Sequence, residues 1–404
     1  MILKSTLLET IKSQKENLLH SDRGIEREKL KEIKISAGLA SIITGIRRAG
    51  KSTLLLQLTK SMDDFNYLNF EDVRIFGLDQ KDFNRLDEVF SAEGTSNYYL
   101  FDEIQIIEGW ERYVRTLLDR KKKVILTGSN ASMLSKELGT KLTGRCLKYD
   151  FIPFSYSEFL KLTRQKMTTE SFNNYLYLGG FPEYLKIGNE QILQELFNDI
   201  IIRDITVRYG LRNPKLVKEL ALYLLSNVGK EFSYQSLKKL FNLGSVNTII
   251  SIVGYFENSY MLFTIPQFDF SYKKRLVNKK KVYAIDTGLI KANSVSFSQD
   301  KGRMLENVVF TQLKRMDLEV FYFKKERECD FISRSSRNEL NAYQVCFDLN
   351  EDNKDREING LLEALNYTKQ KVGYILTLEQ NDELELNGKK IIVKPVFNWM
   401  VEQR

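Results

Sequence analysis

Leu3, Leu7, Leu8 and Ile11 fall at the i, i+4, i+5, i+8 spacing of one helix face. From Asp22 to Lys34 the charges alternate in sign, the pattern of a solvated helix face, so residues 1–36 are predicted to be a charged, helical N-terminal segment. The pattern changes at Gly38. Short continuous apolar runs now alternate with helical stretches: Ala40–Thr44, Asn66–Phe70, Tyr98–Phe101 and Lys123–Thr127 read as strands, and a helix starts near Thr53. Apolar strands that do not alternate with polar residues belong to a parallel sheet covered on both faces, placed here within residues 37–150.

Residues 151–281 read as mainly helical. Leu216–Val228 is amphipathic, Ser233 is placed to cap Tyr234–Phe241, and Ser245 to cap a helix running to Phe256. A short strand, Tyr260–Ile265, follows, and three helices leading into a hairpin make the winged-helix pattern. Residues 282–404 return to mixed α/β. Strands are expected at Val282–Ile285, Val320–Phe323, Asp330–Ser333, Ala342–Phe347 and Val372–Thr377, with helices at Arg303–Arg315 and Glu357–Lys369. At about 150 residues per domain, 404 residues suit two to three such units. The fold class expected is α/β throughout: a parallel-sheet domain, a helical and winged-helix middle region, and a mixed C-terminal domain.

Composition narrows the chemistry. The one histidine, His20, lies in the charged N-terminal stretch, which excludes a Ser-His-Asp triad, a His-rich zinc site and a histidine general base. Lys, Arg, Asp, Glu, Ser, Thr and backbone amides remain, a set suited to phosphate. Cys146, Cys329 and Cys346 are isolated and odd in number, which predicts free, buried thiols rather than a disulfide framework. No apolar run approaches the ~18 residues of a membrane span, and charges interrupt the N-terminal apolar stretch, so a cytoplasmic protein with no membrane contact is expected. With 61 basic and 53 acidic residues the net charge is +8, which permits nucleic-acid contact only where the charge clusters.

The phosphate chemistry has a specific address. Gly45-Ile46-Arg47-Arg48-Ala49-Gly50-Lys51-Ser52 fits G-x-x-x-x-G-K-[ST], with a strand before it and a helix after it. Backbone amides from Gly45 to Thr53 would wrap the phosphates of ATP, Lys51 would reach the β- and γ-phosphates, and Ser52 would ligate Mg2+. Asp102-Glu103 ends a strand, at the edge where ligands sit in an open α/β sheet. Asp102 is placed to hold Mg2+ through water, and Glu103 to act as the general base. Ser129 and Asn130, after another strand, are candidates for orienting the attacking water or sensing the γ-phosphate. Arg145 is a candidate arginine finger, in cis or on a neighbouring subunit.

Together, the GIRRAGKST loop, the NYYLFDEIQ and LTGSN strands and the LTGR turn at 142–145 resemble the bacterial and archaeal AAA+-type ATPases with a DUF4143 C-terminal region. The resemblance extends through Asn69-Phe70-Glu71-Asp72, Trp110, Gly179-Gly180-Phe181-Pro182-Glu183, Arg203-Asp204 and Tyr283–Leu289. It implies ATP binding and hydrolysis, a winged-helix segment and a nuclease-like C-terminal fold, with Asp102 and Glu103 as the Walker acids, Arg145 as the arginine of the GR turn and Arg203 as a lid arginine.

Glu306 on a helix, Asp330 on a strand and Gln344-Val345-Cys346 on the next resemble a restriction-endonuclease-like core. Such a core needs an E-x-K pair, and here both the acid and the lysine are missing, so a nuclease-like fold without nuclease activity is expected. Lys324 or Lys325 could supply the missing charge. Lys273-Lys274-Arg275 and Lys279-Lys280-Lys281 put six basic residues within nine positions beside the expected wing, the best local case for DNA. The leading reading is an Mg2+-dependent ATPase coupling nucleotide state to its other domains, with DNA or a protein as partner and an oligomer allowed. The alternatives are a nucleotide-gated binding switch with little turnover and an ATP-dependent DNA nuclease.

Overall fold

The computed structural model describes residues 2–94, 96–131, 142, 144–294 and 300–402, so Thr143 of the LTGR turn lies outside the described residues. Two compact units are present, Met1–Ile152 and Pro153–Arg404.

In the first unit five strands, β1 (Ala40–Thr44), β2 (Asn66–Asn69), β3 (Tyr98–Asp102), β4 (Lys123–Gly128) and β5 (Cys146–Asp150), form one sheet in the order β2-β3-β4-β1-β5. Every pairing in it is parallel. All five residues of β1 are buried, as the unbroken apolar run requires. The edge strand β5 was not expected. Its residues are half-exposed and carry no apolar run, and backbone pairing to β1 holds it in place. Among the described residues, α-helices α1 (Lys4–His20), α2 (Lys51–Leu58), α3 (Phe83–Glu93) and α4 (Trp110–Asp119) flank the strands in sequence.

The N-terminal helix belongs to this unit. Leu7 and Ile11 enter a core with Leu68, Phe70, Phe101 and Trp110. Gln14 donates to the Asn69 carbonyl at 3.1 Å and accepts from the Asn69 amide at 2.7 Å, which docks α1 on β2. The expected solvated helix over Asp22–Lys34 is corrected. The helix stops at His20, a single 3-10 stretch spans Glu28–Glu32, and Arg27 between them is buried.

The second unit opens with a run of helices: α5 (Tyr156–Thr163), α6 (Thr169–Leu178), α7 (Pro182–Ile187) and α8 (Gln191–Asp199), continuing as a π-helix, Ile200–Val207. Then come α9 (Pro214–Leu225), the short strand β6 (Glu231–Phe232), α10 (Tyr234–Leu240), α11 (Val246–Asn258), β7 (Leu262–Pro266), a six-residue helix α12 (Tyr272–Val277) and β8 (Lys280–Ala284). Ser233 and Ser245 cap α10 and α11 as expected. The strands β6, β8 and β7 form a small antiparallel sheet.

The chain continues through α13 (Thr287–Asn293) and α14 (Lys301–Arg315) into a six-stranded mixed sheet. That sheet holds β9 (Glu319–Lys324), β10 (Glu328–Arg334), β11 (Leu340–Val345), β12 (Val372–Thr377), β13 (Asp382–Leu386) and β14 (Lys389–Pro395), in the order β13-β14-β12-β11-β10-β9. Helix α15 (Lys354–Thr368) packs Ile358, Leu361 and Leu365 onto it, and α16 (Val396–Glu402) ends the described chain. Strand β8 runs through the expected division at residues 281 and 282, and the regions on either side of it share one compact unit.

Two runs to which the resemblance extends, Gly179–Glu183 and Tyr283–Leu289, meet in this unit. Asp286 caps α13 by accepting from the Leu289 amide at 3.1 Å, and it also accepts from the Gly180 amide at 2.6 Å. A Cβ on Gly179 would sit 2.2 Å from Asp286 Oδ1, so the Gly-Gly pair lets the acid reach the backbone. Burial pushes the Asp286 carboxyl up to about 6 against these amide donors. The GGFPE run and the AIDTG run thus form a packing clasp.

Candidate functional site

The first site grows from the end of β1. Gly45 donates to the Gly128 carbonyl at 3.2 Å, and the Phe151 amide donates to the Thr44 carbonyl at 2.6 Å. A Cβ on Gly45 would lie 1.7 Å from the Phe151 carbonyl oxygen, so only glycine fits. Ile46 and Ala49 anchor the loop from inside, fully buried, while Arg47 reaches out to Glu71 Oε1 at 3.2 Å. Arg48 takes left-handed backbone, φ 63°, and Glu103 does the same at 53°, a conformation that side-chain-bearing residues rarely adopt. Helix α2 then starts at Lys51, and its first amides have no partner within the helix, which makes its N-terminus a place for an anion.

Lys51 is buried. Its ammonium donates to the carbonyls of Gly45 at 3.0 Å and Ile46 at 3.1 Å, and lies 3.5 Å from Glu103 Oε1. Asp102 is buried beside it, hydrogen-bonded by Thr127 and Ser52, with the Tyr67 hydroxyl at 3.4 Å. Burial and the neighbouring Glu103 raise the Asp102 carboxyl above its usual range, with Ser52, Thr127 and Lys51 opposing. For Glu103 the balance goes the other way. Burial acts to raise its carboxyl, but Lys51, Gln105, Arg47 and Ser129 outweigh it and hold the group below its usual value. Glu103 Oε2 accepts from the Ser129 amide at 3.2 Å and from Gln105. Ser129 and Asn130 are both buried, Ser52 is exposed and Thr53 is half-buried.

Lys51, Ser52, Asp102, Glu103 and Ser129 therefore converge, by these contacts, at the C-terminal edge of the sheet. Arg145 does not join them in this chain. Its carbonyl accepts from Ala40, the first residue of β1, and its guanidinium pairs with Asp119. The length of β1, about 15 Å at strand rise, separates that end from Gly45. Arg203 lies in the second unit, 67% exposed and 3.5 Å from Asp199.

Sequence reasoning missed Gln105, Tyr67 and Arg27. Gln105 stands two residues beyond Glu103, and only the left-handed turn at Glu103 brings it back. Arg27 donates to the Ala49 carbonyl at 2.8 Å and the Ile152 carbonyl at 2.7 Å, and stacks 3.9 Å from the Phe151 ring centroid. It straps the phosphate loop from behind, and nothing in its local charge pattern separates it from its solvated neighbours. Arg27→Ala is expected to lower stability by roughly 2–3 kcal/mol, the scale of a buried charged donor losing its acceptors. Arg27→Lys should recover only part, because an ammonium lacks the planar fork. A wild-type urea midpoint for Arg27→Ala would show that the strap carries no load.

A second cluster lies in the second unit. A register shift in β10 between Cys329 and Ile332 accompanies Asp330, whose Oδ2 accepts from the Val345 amide at 2.9 Å. Glu306 of α14 joins it, and so does Lys281, which the basic run had assigned to phosphate. That assignment is corrected. The Lys281 ammonium is buried, 2.7 Å from Glu328 Oε1, 3.3 Å from Glu306 Oε1 and 3.5 Å from Asp330 Oδ1. Tyr283 also donates to Glu306, and Gln344 donates to Glu357. Lys281, rather than Lys324 or Lys325, supplies the positive charge in the cluster, while Lys324 pairs with Glu231 and Glu328 at its margin. Burial and Glu306 push the Asp330 carboxyl up to about 8, with Lys281 opposing. Cys329 and Cys346 are buried free thiols as expected, while Cys146 is half-buried. Among the described residues no helix is long and apolar enough to cross a membrane.

Residues 38–160 match the model of an AAA domain. Residues 169–300 match a domain of unknown function, DUF8612, where the resemblance had implied DUF4143. An uncharacterized protein of Methanocaldococcus jannaschii is 34% identical over 401 residues, covering 91% of this chain and 89% of that one. An uncharacterized protein of Haemophilus influenzae is 29% identical over 384 residues, covering 89% and 94%. Among solved structures, the Aeropyrum pernix Orc1 protein in complex with DNA is similar at 13% identity and a TM-score of 0.33, over 68% of this chain and 94% of that one. The replication initiator DnaA bound to AMPPCP and single-stranded DNA is similar at 16% and 0.28, over 62% and 91%.

Proposed function

Because the chain belongs to the same family as the Methanocaldococcus jannaschii protein and carries an AAA domain at residues 38–160, we propose that it binds ATP with Mg2+ and hydrolyses it at the end of β1. The observation that carries this reading is the buried Lys51 ammonium, held between the loop carbonyls and Glu103. A buried cation on carbonyls and a carboxylate is poised to meet a polyphosphate. The amides from Gly45 to Thr53 cradle the phosphates, and the positive end of α2 adds to the attraction. Ser52 and Asp102, already hydrogen-bonded to each other, are oxygen donors of the kind Mg2+ takes, and bound Mg2+ would neutralise charge on the phosphates. Glu103 accepts a proton from the attacking water, and Ser129 and Asn130 line its approach. Arg145 is left to act on another copy of the chain.

Residues 214–284 serve as a winged-helix element in this reading, with Lys273, Lys274, Arg275, Lys279 and Lys280 facing nucleic acid. ATP state would set how that element and the C-terminal sheet engage their partner. The C-terminal sheet is read as non-nucleolytic, because Lys281 already neutralises the carboxylates that would hold a metal ion. Incubation with Mg2+-ATP, with and without DNA, tests the core claim. Wild type should release phosphate, and Lys51→Ala should lose binding of a fluorescent ATP analogue. Retained binding by Lys51→Ala, or no phosphate release by wild type with or without DNA, would refute it. Nucleotide-dependent partner capture without turnover would favour a binding switch instead.

A further inference from the structure

Beyond the basic run, the connection from β7 to β8 carries aromatic rings. Phe270 is 63% exposed and Tyr272 66%, and both follow directly on the buried Phe268. Phe268 and Phe270 meet edge to face at 5.4 Å, which fixes the Phe270 ring while leaving much of it open. Between them and β10 lies a cavity of about 230 Å3, lined in part by Phe268, Asp269, Phe270, Arg275 and Arg334. That volume is small against ordinary ligand pockets and suits a single ring system. The Arg275 guanidinium stacks between Tyr272 at 5.3 Å and Phe321 at 5.5 Å, and its buried Nε has no hydrogen-bond partner among the described residues. Arg334 stacks on the same Phe321 ring from 5.7 Å.

Charge selects among occupants. Lys273 and Lys274 stand exposed on α12, and Lys280 is half-exposed at the start of β8. Among the described residues neither Lys273 nor Lys280 has an ion-pair partner. A rim of cations around open rings fits a chain that alternates phosphates with flat bases. Asp269, half-buried at the cavity wall, accepts from the Ser271 amide at 2.8 Å and pairs with Lys274 Nζ at 3.5 Å, and its carboxylate has a further lone pair to accept from an exocyclic amino group.

We propose that the β7–β8 connection is a single-strand nucleic-acid site, with Phe270 as a stacking platform, the Arg275–Arg334 cavity as the seat of one base, and Lys273 and Lys280 on the phosphates. Duplex bases are stacked on one another and cannot use the ring, so the site favours single strands. Asp269 favours cytosine over thymine or uracil, which lack the amino group. The proposal rests on the nucleic-acid part of the function proposed above and does not depend on ATP hydrolysis.

The test uses the full chain in fluorescence anisotropy with labelled oligo(dC), oligo(dT), oligo(rC) and a duplex. Single strands should bind more tightly than duplex, and oligo(dC) more tightly than oligo(dT). Equal affinity for oligo(rC) and oligo(dC) is expected, since no part of the site is assigned to the sugar. Phe270→Ala should weaken single-strand binding by about fivefold or more, the lower end of a lost base–aromatic stack, and leave the salt slope unchanged. Phe270→Trp should restore it, and Asp269→Asn should remove the preference for oligo(dC). Lys273→Glu with Lys280→Glu should flatten the salt slope for every probe. Wild-type affinity in Phe270→Ala, or no rescue by tryptophan, overturns the stacking site even if the lysine changes still weaken binding. No binding of any probe by wild type overturns both this site and the nucleic-acid role of the basic segment, whatever the ATPase assay gives.

Discussion

Glu103→Gln is expected to bind ATP about as wild type does and to release phosphate at least about a hundredfold more slowly, the low end of what a positioned general base contributes. Glutamine keeps the shape of the side chain and can still accept from the Ser129 amide, but it cannot take a proton. The glutamate's environment favours its ionised form. It is buried, which by itself would favour the neutral acid, yet Lys51, Gln105, Arg47 and Ser129 hold its carboxyl below the usual range. A lowered carboxylate is ionised above its ordinary pKa, and its charge is lost only as pH falls through the lowered value. The acid limb of the turnover profile, if Glu103 sets it, should therefore lie below about pH 4.5. The same profile for Glu103→Gln should lack that limb. Turnover within about threefold of wild type would remove Glu103 from the base role and return it to packing Lys51.

The second large effect is expected in the C-terminal sheet. Lys281→Met should destabilise the second unit by about 3–5 kcal/mol at neutral pH, because it leaves buried carboxylates without their cation. Methionine fills the same stem volume, so the loss reads charge rather than a cavity. The direction with pH follows from Asp330, whose carboxyl is pushed up to about 8 by burial and Glu306. A carboxyl raised above its unfolded value holds its proton more tightly when folded. Its contribution is fully present below the unfolded pKa of about 4 and is lost as pH rises through about 8. Lys281 opposes the rise at Asp330, so without it that carboxyl goes up further, and the deficit in melting temperature should be largest near pH 9 and shrink toward pH 5. Adding Glu306→Gln to Lys281→Met should recover part of the loss. A variant that melts with wild type at pH 8 would show that Lys281 does not balance the cluster.

The phosphate loop was legible because its requirements are local: a strand, glycine where Gly45 meets the Phe151 carbonyl, and a lysine at the helix start. Asp102-Glu103 was legible because an apolar run must end somewhere, and acids at its end stand out. The capping serines at 233 and 245 belong to the same class, each bonding an amide two or three residues on. The β13–β14 hairpin was missed although Asn387-Gly388 joins its strands and both residues take positive φ, a strong local turn signal.

Other features were not written locally at all. Strand β5 has no apolar signature, since an edge strand is held by backbone bonds. Arg27, Lys281 and Arg145 look alike in sequence, three basic residues in charged surroundings. Folding buries the first behind the phosphate loop and the second among Glu306, Glu328 and Asp330, and leaves the third at the far end of β1. Sequence by itself determined the parallel sheet and the glycine-lysine loop at the end of β1, because steric and hydrogen-bond demands over a few positions admit few alternatives. Tertiary structure alone decided which basic side chains are available to a partner, because a charge is paired or exposed according to what distant strands bring beside it.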